Sequence, residues 1–405
     1  MSKQSEQEIL FKWAVASRNA DKLNAMLTVA QSEPEIYANI NNFDADPYLL
    51  NCLNGTLDLR TGYFREHKRE DLCSKIIPVE FNPHAEFPVW QAFLERVTGG
   101  NRELISYLQR AAGYSLTGKV GEHVLFFLFG TGRNGKSVFI ETMQALMGDY
   151  ACAMNIDSLV VKKFGQGIPN DIARLAGSRY VSTSETSEGQ RLDESRIKDL
   201  TGGDKITARY LHKEFFDFYP QFKLWIRGNH KPQIRGTDDA IWERIHLIPF
   251  TVQIPKEERD KELIIKLRRE LSGILNWAVA GCLEWQKFGL NPPEEVCHAV
   301  KDYREQMDVL GEFIADSCVT VSNCDFVKER CRGGCKYKIS AGALYEAYEK
   351  WAKKSGQIIV PKKAFGMSMT ERGVQRDKTR DGHLYVGIFL KESEDDAKTV
   401  TCDVS

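Results

Sequence analysis

Apolar positions along the chain change rhythm as it proceeds. From about residue 6 to 120 they recur at helical spacing around one short β-like stretch, Tyr48 to Leu59, closed by the turn signal Thr61-Gly62. From Glu122 onward, strand-like runs (His123 to Phe129, Tyr180 to Ser184, Phe222 to Ile226, His246 to Phe250) alternate with helical patterns. That alternation predicts an α/β domain with crossover helices. Leu263, Ile264, Leu267, Leu271, Ile274 and Leu275 recur at helical spacing and predict helices covering it between Lys256 and Gly289. One further helix is expected from Pro293 to Ala315, and Lys338 to Lys391 reads helix, turn, helix and β-ribbon.

The expected organisation is therefore a mainly helical amino-terminal domain over residues 1–118 with a short β segment, an α/β core over 119–290, and a helical linker with a cysteine-containing insertion over 291–337. A winged helix over 338–391 and an acidic, disordered tail over 392–405 complete it.

The first apolar run leads directly into Gly130, Thr131, Gly132, Arg133, Asn134, Gly135, Lys136 and Ser137, a full G-x-x-x-x-G-K-S sequence followed by a helical pattern, Val138 to Met147. A strand before and a helix after give this P-loop motif its mechanism. The glycines let backbone N–H groups turn toward phosphates, Lys136 neutralises the β/γ oxygens of ATP, and Ser137 ligates Mg²⁺. The second run is followed by Glu185, where a strand end would deliver a carboxylate to orient or deprotonate the attacking water and to hold Mg²⁺, directly or through water. Ser184 stands where many NTPases place an Asp, and Glu188 competes for the role. The third run ends near Asn229, which beside a γ-phosphate could bond the attacking water; a turn Asn before Pro232 is the plain alternative. Arg244 precedes the fourth run and could act as an arginine finger from a neighbouring subunit, or simply form a surface ion pair.

These pieces, in this order, resemble the superfamily III helicases, and most closely the carboxy-terminal half of phage and plasmid primase-helicases, relatives of the poxvirus primase-helicase. The resemblance is carried by Leu50 to Gly62, Tyr107 to Gly118, the P-loop, Asp171 to Gly177, Leu200 to Asp204, Phe222 to Trp225 and Trp242 to Phe250, from about residue 10 to 390. It implies a P-loop, AAA+-like ATPase core acting as a ring, usually hexameric, that hydrolyses ATP between subunits and moves along single-stranded or forked DNA. It also implies that Lys198 reaches a neighbour's nucleotide. Such proteins often carry an amino-terminal primase domain. With little chain before residue 40 and no paired-carboxylate polymerase site there, primase activity is not expected of this chain, and a primase or polymerase partner would be fused or separate.

Two further stretches bear on DNA. Lys205 to Pro220 reads as two β-like runs around a His212-Lys213-Glu214 tip, a cationic and aromatic hairpin suited to a single strand inside a pore, with a solvated hairpin as the bland reading. Between Lys350 and Lys391, Lys and Arg outnumber acids ten to three, which suits phosphate contacts by a winged helix through Lys362, Lys363, Arg376 and Arg380. The rival to a motor is a P-loop ATPase that binds DNA as an initiator or regulator without unwinding.

Global charge does not help, because the net charge is −1. With 42% apolar and 27% charged residues, no membrane-length apolar run and no secretory signal, the chain is expected in the cytoplasm; the resemblance implies a bacterial host cell and a gene carried by a phage or mobile element. The ten cysteines are scattered; Cys318, Cys324, Cys331 and Cys335 could hold zinc but lack the usual short C-x₂₋₄-C knuckles.

Overall fold

The computed structural model describes residues 3–33, 36, 42–161, 170–183, 189–236, 238–320, 338–357, 359–379 and 382–391. Helices α1 (Lys3–Ser17) and α2 (Ala20–Ala30) come first and leave Phe11, Trp13 and Leu27 exposed. Strands β1 (Leu49–Cys52), β2 (Gly55–Asp58) and β3 (Tyr63–Arg65) then form an antiparallel sheet. The single β-like stretch of the sequence is thus a hairpin, with Cys52 opposite Gly55. The two-residue turn is Leu53-Asn54. Gly55 is required there because a Cβ would lie 2.4 Å from the Arg65 carbonyl.

Helices α3 (Pro88–Val97) and α4 (Arg102–Leu116) lead into β4 (Leu125–Phe129), α5 (Lys136–Met147), β5 (Ala151–Met154), the short α6 (Asn170–Ala173) and β6 (Tyr180–Thr183). After α7 (Glu194–Thr201) come the hairpin β7 (Ile206–Arg209) and β8 (Phe215–Phe218), then β9 (Lys223–Gly228), α8 (Asp239–Trp242) and β10 (Ile245–Pro249). Helices α9 (Leu263–Arg269) and α10 (Leu271–Phe288) follow.

The expected α/β architecture is present: β10-β4-β9-β6-β5 form one sheet in which every neighbouring pair is parallel. Both faces are covered, which is why β4 reads as an unbroken apolar run. Phe126, Leu128, Tyr180, Trp225 and Ile248 enter one core, while Leu125, Phe127, Val181, Leu224, Ile226 and Leu247 enter the other. Trp225 centres the first, its ring 4.4 Å from Phe126, 5.5 Å from Tyr180 and 5.6 Å from Phe139. That core continues through Leu50, Leu57, Trp90 and Tyr107, across the expected boundary at 118. Helices α4 and α10 approach closely there: a Cβ on Gly113 would lie 2.0 Å from the Cys282 nitrogen, and one on Gly281 would lie 2.0 Å from the Gln109 carbonyl.

Two buried cations fasten the end of α4 to the sheet. Arg179 donates to the Leu116 carbonyl at 2.8 Å and the Leu49 carbonyl at 2.9 Å. Lys223 donates to the carbonyls of Thr117 and, at 3.1 Å, Lys119. They satisfy carbonyls that the helix end leaves without intrahelical donors. Burial pushes the Lys223 ammonium well below its usual range.

The expected single helix from Pro293 to Ala315 is two, α11 (Glu294–Met307) and α12 (Val309–Ser317). Asp308 breaks it by leaving the helical backbone and accepting from the Gly311 N–H at 2.8 Å, and it also pairs with Arg372. Strands β11 (Cys318–Thr320) and β12 (Lys338–Ser340), helices α13 (Ala341–Lys354) and α14 (Lys362–Glu371), and strands β13 (Gln375–Thr379), β14 (Gly382–Val386) and β15 (Ile388–Leu390) form the last region. It shares one core with α12, built on Phe313, Tyr348, Phe365 and Tyr385. The sheets are β12-β14-β13 and β11-β15.

Burial against Tyr107, whose hydroxyl bonds Nδ1, pushes the His246 imidazole down to about 4. A base with a lowered folded pKa contributes stability that is complete above the unfolded value of about 6.5 and is lost as pH falls toward the folded one. Urea unfolding at pH 7 and pH 4.5 should therefore lose on the order of 2 kcal/mol more in the native chain than in His246→Gln. Equal losses in both proteins would refute this account.

Candidate functional site: a glycine loop at one sheet edge and cations at the other

The G-x-x-x-x-G-K-S segment lies between the carboxy end of β4 and the first turn of α5, as its sequence context predicts. Gly132 and Gly135 take φ of +99° and +85°, a region open to glycine, and Arg133 takes +57°. A Cβ on Gly135 would meet the Val97 Cγ1 at 2.5 Å, so α3 presses on the loop from below. The loop is strapped to the end of β10: Asn134 Nδ2 donates to the Phe250 carbonyl at 2.8 Å, and the Ile254 N–H donates to the Arg133 carbonyl at 2.9 Å. Thr131 Oγ1 accepts from Gln253 at 3.0 Å.

Lys136 is buried and its ammonium donates to the Gly130 carbonyl at 2.7 Å, Asn134 Oδ1 at 2.9 Å and Asn229 Oδ1 at 3.0 Å. Two residues singled out separately in the sequence, 93 positions apart, are therefore in direct contact. The parallel register explains it, since Phe129 pairs with Gly228 and Gly130 and Asn229 leave the sheet side by side. Strand β6 runs in the same direction and ends at Thr183. Glu185, Ser184 and Glu188 lie outside the described residues. Ser137 is exposed at the start of α5, and Thr131 and Arg133 are exposed on the loop.

Arg244 and Lys198 stand elsewhere. The Arg244 carbonyl accepts from the Leu125 N–H at 2.7 Å, which fixes it at the amino end of β4. About 16 Å of strand, at roughly 3.3 Å per residue, separates it from Gly130, more than one Arg side chain spans. Arg244 Nη1 donates to the Ala240 carbonyl at 2.5 Å. Lys198, in the last turn of α7, pairs with Asp238 beside it. The Asp238 carboxyl is held below its usual range by Lys198 first, then by the Ala240 N–H, with a smaller contribution from Arg244. Lys198 and Arg244 thus form one cationic group on the edge opposite the glycine loop.

The hairpin expected between Lys205 and Pro220 is formed, with Arg209 opposite Phe215 and residues 210–214 at its tip. His212 and Lys213 are exposed there, and His212 takes φ of +59°. Because β9 begins at Lys223, the hairpin springs from the same edge as Arg244. In the last region, Lys362, Lys363 and Arg376 are exposed around a groove of about 500 Å³ between α14 and the β13–β14 ribbon, also lined by Gly366, Met367 and Tyr385. Arg380 lies outside the described residues, as do Cys324, Cys331 and Cys335. Cys318 is buried, with its thiol pushed up to about 11 by burial, and the described residues contain no cluster of metal-ligating side chains. No helix among them is long and apolar enough to cross a membrane.

Sequence reasoning missed Gln253 and Glu141. The first bonds Thr131, and the second pairs with Arg227 at 3.4 Å just ahead of Asn229. Neither carries a local signal, because both reach the site through tertiary packing.

Residues 1–99 match a family model described as D5 N terminal like, and residues 128–244 match a family of unknown function. The chain is 28% identical over 338 residues to a protein of Acanthamoeba polyphaga mimivirus named "Putative helicase", covering 78% of this chain and 34% of that protein. A "Putative helicase" of Invertebrate iridescent virus 3 is 23% identical over 381 residues, 84% of this chain and 39% of its own length. A "Putative primase" of African swine fever virus is 28% identical over 220 residues, 51% of this chain and 22% of its own length. The chain thus spans well under half the length of these curated relatives. Among solved structures, the C-terminal region of NrS-1 has the same fold, with a TM-score of 0.50 at 12% identity over 85% of this chain and 83% of that one. Together these matches fit a relative of the primase-helicases.

The packing under the loop predicts an asymmetry between glycines. Gly135→Ala forces a left-handed alanine against Val97, whereas Gly100→Ala, at φ of +79° with open space around it, carries the backbone cost alone. Thermal unfolding should show Gly100→Ala losing about 1 kcal/mol and Gly135→Ala clearly more. Equal losses would mean that α3 does not support the loop.

Proposed function

We propose that this chain is an ATP-driven motor that moves on DNA, the helicase portion of a primase-helicase, with ATP hydrolysed between subunits of a ring. The observation that carries this reading is the division of the sheet into two edges. Lys136 and Asn229 meet at the edge of the glycine loop, while Arg244 and Lys198 lie about 16 Å away at the other. Within one chain the two sets cannot share a phosphate. Subunits arranged head to tail bring one chain's Arg244 edge to its neighbour's loop, and a heterologous contact of that kind forms a ring where the rotation between neighbours closes.

The residues present fit a triphosphate. A Cβ on Gly132 would stand 4.0 Å from Asn229 Oδ1, so its absence widens the space the loop faces. Lys136 would exchange its oxygen partners for phosphate oxygens, and Asn134 and Asn229 would take up the ligand's remaining bonds. Ser137, with Glu185 directly or through water, would hold Mg²⁺, which when bound draws charge from the phosphate oxygens. In the proposed reaction Glu185 orients or deprotonates the attacking water, Asn229 senses it, and Arg244 of a neighbour stabilises charge on the phosphoryl group. His212 and Lys213 grip a single strand, while Lys362, Lys363, Arg376 and Arg380 of the winged helix contact duplex phosphates. A primase or polymerase partner, fused or separate, fits relatives that this chain only partly spans.

The exposed basic strand β13 and the groove beside it also support a second reading, an ATPase that docks on DNA without unwinding. Strand displacement on a fork separates the two: a motor releases the strand and a docking ATPase does not.

Lys136→Ala should abolish nucleotide binding, measured by fluorescent-nucleotide titration. Glu185→Gln should keep binding and lose phosphate release, since only the acid is removed. Turnover retained by Glu185→Gln would move that role to another carboxylate.

Arg244→Ala should bind ATP with native affinity yet turn it over at least 10³-fold more slowly, the lower end of what an arginine finger supplies. Mixed with Glu185→Gln, it should regain part of the activity, because one interface then joins an intact finger to an intact acid. Inert mixtures that remain monomeric in native mass measurement would sink the shared-site arrangement.

A further inference from the structure

The β7–β8 hairpin has two unlike faces. Inward, Ala208 is buried and Phe216 and Phe218 pack against the core, with Tyr210 stacked on Phe216 at 5.6 Å and its hydroxyl bonded to the Ala173 carbonyl at 3.0 Å. Outward, the base of the hairpin is locked by polar pairs: Asp217 accepts from Thr207 at 2.6 Å and pairs with Lys205 at 2.9 Å. Between that lock and the His212-Lys213 tip lies one pair of different character. Phe215 is 61% exposed, and the Arg209 guanidinium sits over its ring, 4.7 Å from the centroid.

A scattered exposed aromatic needs no explanation. Phe215 differs because strand alternation holds it on the outer face, opposite to Phe216 and Phe218, and because Arg209 covers part of one ring face while most of the ring stays in solvent. A fixed, solvated aromatic plate beside exposed cations suits a flat, polar-edged ring carried on an anionic backbone. A protein partner offers no matching reason for the adjacent cations. We propose that Arg209 and Phe215 form a stacking platform for one base of a single DNA strand, with His212 and Lys213 taking the flanking phosphates. This rests on the reading of the hairpin as the strand-gripping element. It adds a contact to the base where that reading supplied contacts to the backbone.

The chemistry separates the two contributions, since an abasic strand keeps every phosphate and lacks the stacking partner. The probe is fluorescein-labelled oligo-dT against an abasic oligomer of equal length, bound to the full chain with Mg²⁺ and a non-hydrolysable ATP analogue, and read by anisotropy. The native chain should prefer oligo-dT. Phe215→Ala should weaken oligo-dT by about five- to 150-fold, the range for stacking one base on one ring, while leaving the abasic oligomer and the salt slope unchanged. Phe215→Trp should restore the preference. His212→Ala combined with Lys213→Ala should weaken both oligomers and make the salt slope shallower by roughly 0.7 per lost contact.

A preference for oligo-dT that survives in Phe215→Ala overturns the platform. So does an equal loss on both oligomers. A smaller assembly in native mass measurement, with the preference intact, also overturns it and assigns Phe215 to a contact between copies. If the tip variant weakens binding and Phe215→Ala does not, the platform alone fails. If neither variant changes binding, the strand-gripping role of the hairpin fails with it.

Discussion

A buried ammonium organises the edge of the sheet on which the glycine loop stands. Lys136 is 3% exposed, and a charge so far from water is tolerable only when fully hydrogen-bonded. Its bonds to Gly130, Asn134 and Asn229 join the end of β4, the middle of the loop and the end of β9. The straps from Phe250, Gln253 and Ile254 hold the loop from outside, and the Lys136 bonds close it from within. Asn134 extends the arrangement to β10 through the Phe250 carbonyl, so strands on both sides of β4 contribute to one cage around one cation.

The cage depends on the sheet being parallel. Parallel strands deliver their carboxy ends to one edge, so β4, β6 and β9 end together there although they lie far apart in the chain. The same geometry sends α8, Arg244 and the β7–β8 hairpin to the opposite edge, where Asp238 gathers Lys198 and Arg244. Burial on both faces keeps the register from slipping, because a shift of one residue would exchange the Trp225 face with the Leu224 face.

The amino-terminal sheet and helices belong to this arrangement structurally. Leu50, Leu57, Trp90 and Tyr107 share a core with the parallel sheet, and Arg179 and Lys223 tie the end of α4 to β6 and β9. Val97 and Phe93 of α3 lie directly beneath Gly135. The glycine loop therefore rests on a helix from a stretch of chain with no chemical motif of its own. In the last region, by contrast, α12, α13 and α14 build a separate core.

Much of this was legible in the sequence, for local reasons. The unbroken apolar run of β4, the glycines before Lys136 and the helical pattern after it specify strand, loop and helix without reference to the rest of the chain. So do the two β-like runs of β7 and β8 around the His212-Lys213-Glu214 tip, and Ser340 and Pro361 at the starts of α13 and α14. The hairpin at Leu53-Asn54 was hidden because apolar periodicity runs through it, and β5 because Ala151–Met154 is short and only partly buried. The division of the chemistry between two edges could not be read from the sequence. Lys136 and Asn229 are far apart in the chain and touch, while Arg244, nearer to Asn229, is a strand length away. Sequence separation carries no record of strand order or direction, and those are fixed by which apolar faces find cover when the sheet assembles.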